Sequence, residues 1–152
     1  MDFPDKWAAI VWMCRNQLGW RNLTDAQKTV LIGDAYNAQR MTQGAPKGNQ
    51  NASKQSRQNG DFERSGKTEQ IIAERFNVGS GTVARAKQFV DSIDAAEKVS
   101  PGFRSSILTG EVKAPKEVIR EIRNIPEEKR TAAVEAIKSG NIADAKEIIK
   151  KL

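Results

Sequence analysis

The sequence predicts an all-α, multi-helix fold, and three observations predict it. Apolar residues recur at helical spacing, as in Trp7, Ile10, Val11, Cys14 and Leu18, and no segment shows the period-2 alternation of half-buried strands. Capping residues and glycines break the chain at intervals that suit short helices. The composition, 38% hydrophobic and 29% charged over 152 residues, supports a modest core built by packing several apolar stripes together.

The first helix is expected from about Pro4, a residue tolerated at the first helical position. Trp12 and Trp20 fall partly outside its buried face and are expected to cover a neighbouring helix or a partner domain. Thr24 followed by Gln27 forms a capping box, in which each side chain serves the other residue's backbone N–H. Asp25 suits the positive end of the helix dipole. Val30, Leu31, Asp34, Ala35 and Ala38 continue that helix, with Gly33 and Asp34 as weak points. Residues 42–66 lose periodicity and are rich in Gln, Asn, Gly, Ser and Lys, with Phe62 as their one large apolar residue. They read as a flexible polar loop.

Helical pattern resumes at Lys67. Breaks are expected at Asn77–Ser80, Ser100–Gly102, Gly110–Pro115, Asn124–Pro126 and Gly140–Asn141. Four segments follow: an N-terminal helical hairpin (1–41), the loop (42–66), a helix-turn-helix (67–100) and C-terminal helical hairpins (101–152). The last segment contains an internal repeat, 107–122 against 137–152. Ile107, Gly110, Val112 and Ile119 align with Ile137, Gly140, Ile142 and Ile149. Each copy reads as a helix end, a glycine C-cap and a second amphipathic helix. A structural role is expected for it.

The formal net charge of +6 mildly favours a polyanionic partner. Charge is concentrated just before the helix-turn-helix, where Lys47, Lys54, Arg57, Arg64 and Lys67 outnumber Asp61 and Glu63. That stretch reads equally as a linker or as an arm touching phosphates. The chain has no histidine and one cysteine, Cys14. Histidine general-base chemistry, Ser/His or Cys/His nucleophilic pairs and zinc sites of the Cys/His type are therefore excluded. Cys14 lies on an apolar stripe and is expected to be a buried thiol. No secretory signal and no membrane span is expected, which points to the cytoplasm. Glu117, Glu121, Glu127, Glu128 and Glu147 read as exposed helix-surface carboxylates with basic neighbours. No acid pair sits in an apolar setting, and the Gly44–Gly48 stretch lacks the strand and helix of a phosphate loop. No enzymatic activity, metal or cofactor is expected.

Residues Glu69–Gln88 fit the helix-turn-helix template. Ala73 supplies the small residue where the two helices cross, and Asn77 suits the left-handed turn. Ile72, Phe76, Val78, Val83 and Ala86 form the shared small core. The second helix is capped by Gly79 or Ser80 and turns Ser80, Gly81, Thr82, Arg85 and Gln88 outward. In such motifs the start of this helix enters the major groove. Arg85 would pair with guanine, Gln88 with adenine, and Ser80 or Thr82 with a base or phosphate. Lys67 and Thr68 are expected to hold the DNA backbone.

Arg21, Asn22, Leu23, Thr24, Asp25, Ala26, Gln27 and Lys28, then Lys67, Thr68, Ile72, Ala73, Val78 and Thr82–Ala86, then Ile107–Glu111, resemble the central DNA-binding part of ParB-like proteins. The branch carried by plasmids, phages and other mobile elements is the most similar. The resemblance spans roughly 5–122, and the Arg21–Thr24 stretch is its most specific part. It implies an all-helical domain that binds double-stranded DNA as a homodimer, in partition, replication control or transcriptional regulation, within the nucleoid of a bacterium or a phage host. Arg21, Lys54, Arg57 and Arg64 are expected as further phosphate contacts. Few residues precede Trp7–Leu18, so the family's N-terminal nucleotide-binding domain is expected to be missing from this chain, which reads either as a solo DNA-binding domain or as a fragment of a longer gene product. CTP binding, sliding and nuclease-like activity are then not carried over. Trp20 stands where an arginine is common, which removes one phosphate contact. The second repeat copy has no counterpart in the family and is expected to serve dimerisation. The alternative is a helical interaction module, with Trp12, Trp20 and the hairpins binding a host or defence-system protein.

Overall fold

A computed structural model describes residues 2–19, 22–42 and 68–151. Among them are eight α-helices, one 3-10 turn and no strand, an all-α fold. In chain order these are α1 (Lys6–Leu18), α2 (Asp25–Thr42), α3 (68–76), α4 (Ser80–Val99), α5 (Phe103–Thr109), α6 (Lys116–Glu121), the 3-10 turn Ile122–Asn124, α7 (Glu127–Lys138) and α8 (Ile142–Lys150). The loop expected at 42–66 lies outside the described residues, except that Thr42 closes α2. Every helix break expected downstream of Asn77 is found. The start of α1 is one correction. Asp5, not Pro4, governs it, because the Asp5 carboxylate accepts the Ala8 N–H at 2.8 Å and leaves Pro4 outside the helix.

The described chain forms two compact units that do not follow the four sequential segments. The first comprises Met1–Leu23 and Leu31–Lys87, the second Thr24–Val30 and Gln88–Leu152. The helix-turn-helix expected as one segment over 67–100 is thus divided within α4. The reason is helix length: α2 and α4 are long enough for each to contribute to two cores. Val30 belongs to one cluster and Ile32, Ala35, Tyr36 and Ala38 to the other. Likewise Val83 and Ala86 belong to one, and Phe89, Val90, Ile93 and Ala96 to the other.

In the first unit, Val11 and Cys14 of α1 are buried with Ile32, Ala35 and Tyr36 of α2, Ile72 and Phe76 of α3, and Val83 and Ala86 of α4. Burying the valine, isoleucine and phenylalanine side chains among them contributes about 1.5–3 kcal/mol each. Two of the residues expected on the α2 stripe, Leu31 and Asp34, are only half-buried, while Tyr36 is fully buried.

In the second unit the capping box is formed as expected. Thr24 N–H donates to Gln27 Oε1 at 2.9 Å, and Gln27 N–H donates to Thr24 Oγ1 at 3.2 Å. The Gln27 amide nitrogen also donates to the Leu108 carbonyl at 2.9 Å. Lys116 Nζ bonds Thr29 Oγ1 at 3.3 Å and pairs with the Asp25 carboxylate, tying the first turn of α2 to α6. Ser92, fully buried, donates to the Arg120 carbonyl at 2.6 Å. The internal repeat is visible in three dimensions. Gly110 and Gly140 both adopt left-handed φ, 80° and 81°, and each N–H returns to the carbonyl of Ile107 or Ile137. The copies then differ. Pro115 delays α6 to Lys116, whereas the aligned Ala145 lets α8 begin about one turn earlier. Val118 and Ile119 are buried, but their counterparts Ile148 and Ile149 are only half-buried.

Candidate nucleic-acid interface

The helix-turn-helix begins on α3, whose Ile72 and Phe76 are buried while Ala73 packs at the edge of the same cluster. Its turn is made by Asn77, the one non-glycine residue with positive φ among those described, at 54°. Val78 N–H donates to the Ala73 carbonyl at 3.0 Å and Asn77 N–H to the Glu74 carbonyl at 3.4 Å. This is a Schellman ending, with Asn77 in the left-handed position and Val78 joining the core behind it. Asparagine tolerates that conformation because its short polar side chain compensates locally.

Gly79 caps α4. Its carbonyl accepts Thr82 N–H at 3.0 Å and Val83 N–H at 3.2 Å. Val83 and Ala86 then turn inward, which rotates Ser80, Gly81, Thr82 and Arg85 to the surface; all four are exposed. They form one patch over the first turns of α4, within the first unit.

Two expected site residues depart from that patch. Thr68 is fully buried, so its side chain is not offered to a phosphate; at the start of α3 it turns toward the core instead. Gln88 is half-buried and falls in the second unit, because Phe89 and Val90 beside it are core residues there. Lys67, Arg21, Lys54, Arg57 and Arg64 lie outside the described residues.

Residue pattern alone missed the bracing behind the patch. Arg75 of α3 donates through Nη1 to Gln39 Oε1 at 3.0 Å, and Gln39 is 7% exposed. Lys87 of α4 holds its ammonium 5.9 Å from the ring centre of buried Tyr36, within cation–π range. The signal was present: Ile32, Ala35, Tyr36 and Gln39 repeat at i, i+3, i+4, i+7, the stripe that faces this core.

Elsewhere in the first unit, α1 and α2 border an open groove of about 450 Å³ that includes Trp7, Ile10, Cys14 and Met41. Trp12 and Met13 stand exposed on α1, and Phe3 packs on Trp12 with ring centroids 5.6 Å apart. Among the described residues no group of three or more His, Cys, Asp or Glu is arranged to hold a metal ion, and no helix is long and apolar enough to cross a membrane. No protein-family model, curated protein or solved structure matches this chain.

Proposed function

We propose that the chain binds specific sites on double-stranded DNA through the helix-turn-helix of α3 and α4. One observation carries the proposal. A left-handed Asn77 turn, closed by Ala73 and Val78, sets two helices on a shared core and leaves Ser80, Gly81, Thr82 and Arg85 exposed together at the start of the second. A helix start of this kind fits the major groove, and its short polar residues permit close approach. The resemblance to ParB-like proteins assigns the activity to partition, replication control or transcriptional regulation on a plasmid, phage or other mobile element. A homodimer doubles the few base contacts one head makes. Thr68 and Gln88 have no part in the proposed contact set.

Selection of binding sites from random duplexes, followed by gel shifts, tests the proposal. Wild-type protein is expected to hold its selected site about 10³-fold or more above non-specific DNA. Arg85→Ala and Thr82→Ala are expected to weaken that binding. Wild-type affinity no better than non-specific, unchanged in both variants, would refute DNA recognition by this head.

An alternative function, docking of a partner protein, is supported by exposed Trp12 and Met13 and by the neighbouring groove. Salt-insensitive co-purification with one protein, without DNA retention, is the outcome that favours it.

A further inference from the structure

We infer that the DNA half-site contains a guanine read by Arg85, whose side chain lies over the exposed start of α4. The inference rests on the proposed DNA-binding function and specifies what the same patch recognises. A Cβ built on Gly81 would lie 3.9 Å from Arg85 Nη2. The Arg85 side chain therefore runs back along α4 toward the helix start, the direction long helical side chains favour.

Arg85 is also uncommitted. Among the described residues its guanidinium makes no hydrogen bond or ion pair, as is true of Arg15, Arg40 and Arg123, but of these four it alone belongs to the patch at the start of α4. Gly81 has no φ in the left-handed region and no close neighbour besides Nη2, so neither its backbone nor the protein interior requires a glycine there. Glycine at that position costs helix stability, and a Cβ there would make only ordinary contact with Arg85.

The chemistry of the patch then selects the base. Ser80 and Thr82 hydroxyls both donate and accept, so they fit several base edges. Gly81 carries no side chain, and Gln88, the residue suited to adenine, is half-buried and lies in the other unit. Arg85 alone presents a planar fork, which matches the paired O6 and N7 acceptors of guanine in the major groove.

The test starts from the site selected by wild-type protein and measures binding by fluorescence anisotropy to that duplex and to its single-base-pair variants. Wild-type protein is expected to show one G·C pair whose replacement weakens binding about 5- to 150-fold. Arg85→Ala should lose that preference at that pair alone, keeping it elsewhere. Arg85→Lys should lose most of it, because an ammonium cannot bond both acceptors. Gly81→Glu places a carboxylate four residues before Arg85, where it captures the guanidinium, and should erase the same preference. Gly81→Ala should retain it. Circular dichroism melts confirm that each variant is folded. Uniform weakening by Arg85→Ala across all duplexes would make Arg85 a phosphate contact and overturn the inference while sparing the proposed function. Absence of any selected site would overturn both.

Discussion

The carboxylate of Glu97 accepts the backbone N–H of Arg104 at 2.9 Å and so caps a helix seven residues further along the chain. Its other oxygen takes the Gly102 N–H at 2.8 Å. Gly102 is the N-cap of α5 and has no side chain to cap with, so Glu97 at the end of α4 does this for it. The two bonds, that from Arg104 foremost, hold the Glu97 carboxyl below its ordinary pKa. A depressed pKa in the folded state means that the contribution is complete above the unfolded pKa, roughly 4.3, and is lost as pH falls through the folded value. Urea melts of wild-type protein and Glu97→Gln between pH 7 and pH 3 check this. Wild-type protein should be the more stable at pH 7, and the gap should close toward pH 3.

Asn77→Ala should lower stability by about 1–2 kcal/mol, because an L side chain without a local polar partner pays the left-handed penalty at φ 54°. Asn77→Gly should leave stability unchanged or raise it. Chemical denaturation of the three proteins measures the difference. Equal stability of Asn77→Ala and wild type would show that the turn does not hold the left-handed conformation.

Gln27 performs two tasks that substitution separates. Gln27→Ala removes both the reciprocal cap with Thr24 and the bond to the Leu108 carbonyl, for a loss of about 1–2 kcal/mol. Gln27→Glu keeps an acceptor for Thr24 N–H but has no donor for Leu108, and should fall between wild type and alanine at pH 7. Denaturation midpoints rank the three.

Gly81→Ala should raise stability by about 0.5–1 kcal/mol, since the position is helical, exposed and uncrowded. A thermal melt checks it. A destabilised variant would show that Gly81 has a role inside the fold.

DNA affinity should fall steeply with salt, by about one unit in log–log slope for each phosphate contacted. Titrations between 50 and 200 mM salt measure the slope. A slope near zero would exclude a phosphate-bound complex.

What was determined by the sequence alone is local. Thr24 with Gln27, Asn77 and the glycines at 110 and 140 each act within about a turn of their own position, so residue type and spacing suffice to place them. The core of the helix-turn-helix, from Ile72 to Ala86, was legible for the same reason: helical periodicity states which side faces inward. Tertiary structure decided matters that depend on residues distant in the chain. Arg75 meets Gln39 across 36 positions and Lys116 meets Thr29 across 87, and no local pattern encodes either pairing. Thr68 looked like a phosphate contact because it is polar and stands at a helix start, but packing buries it. Gln88 continued the outward face of an ideal helix, yet Phe89 and Val90 draw that part of α4 into a second core. Periodicity assigns faces to a helix, and only the surrounding elements decide which faces are covered.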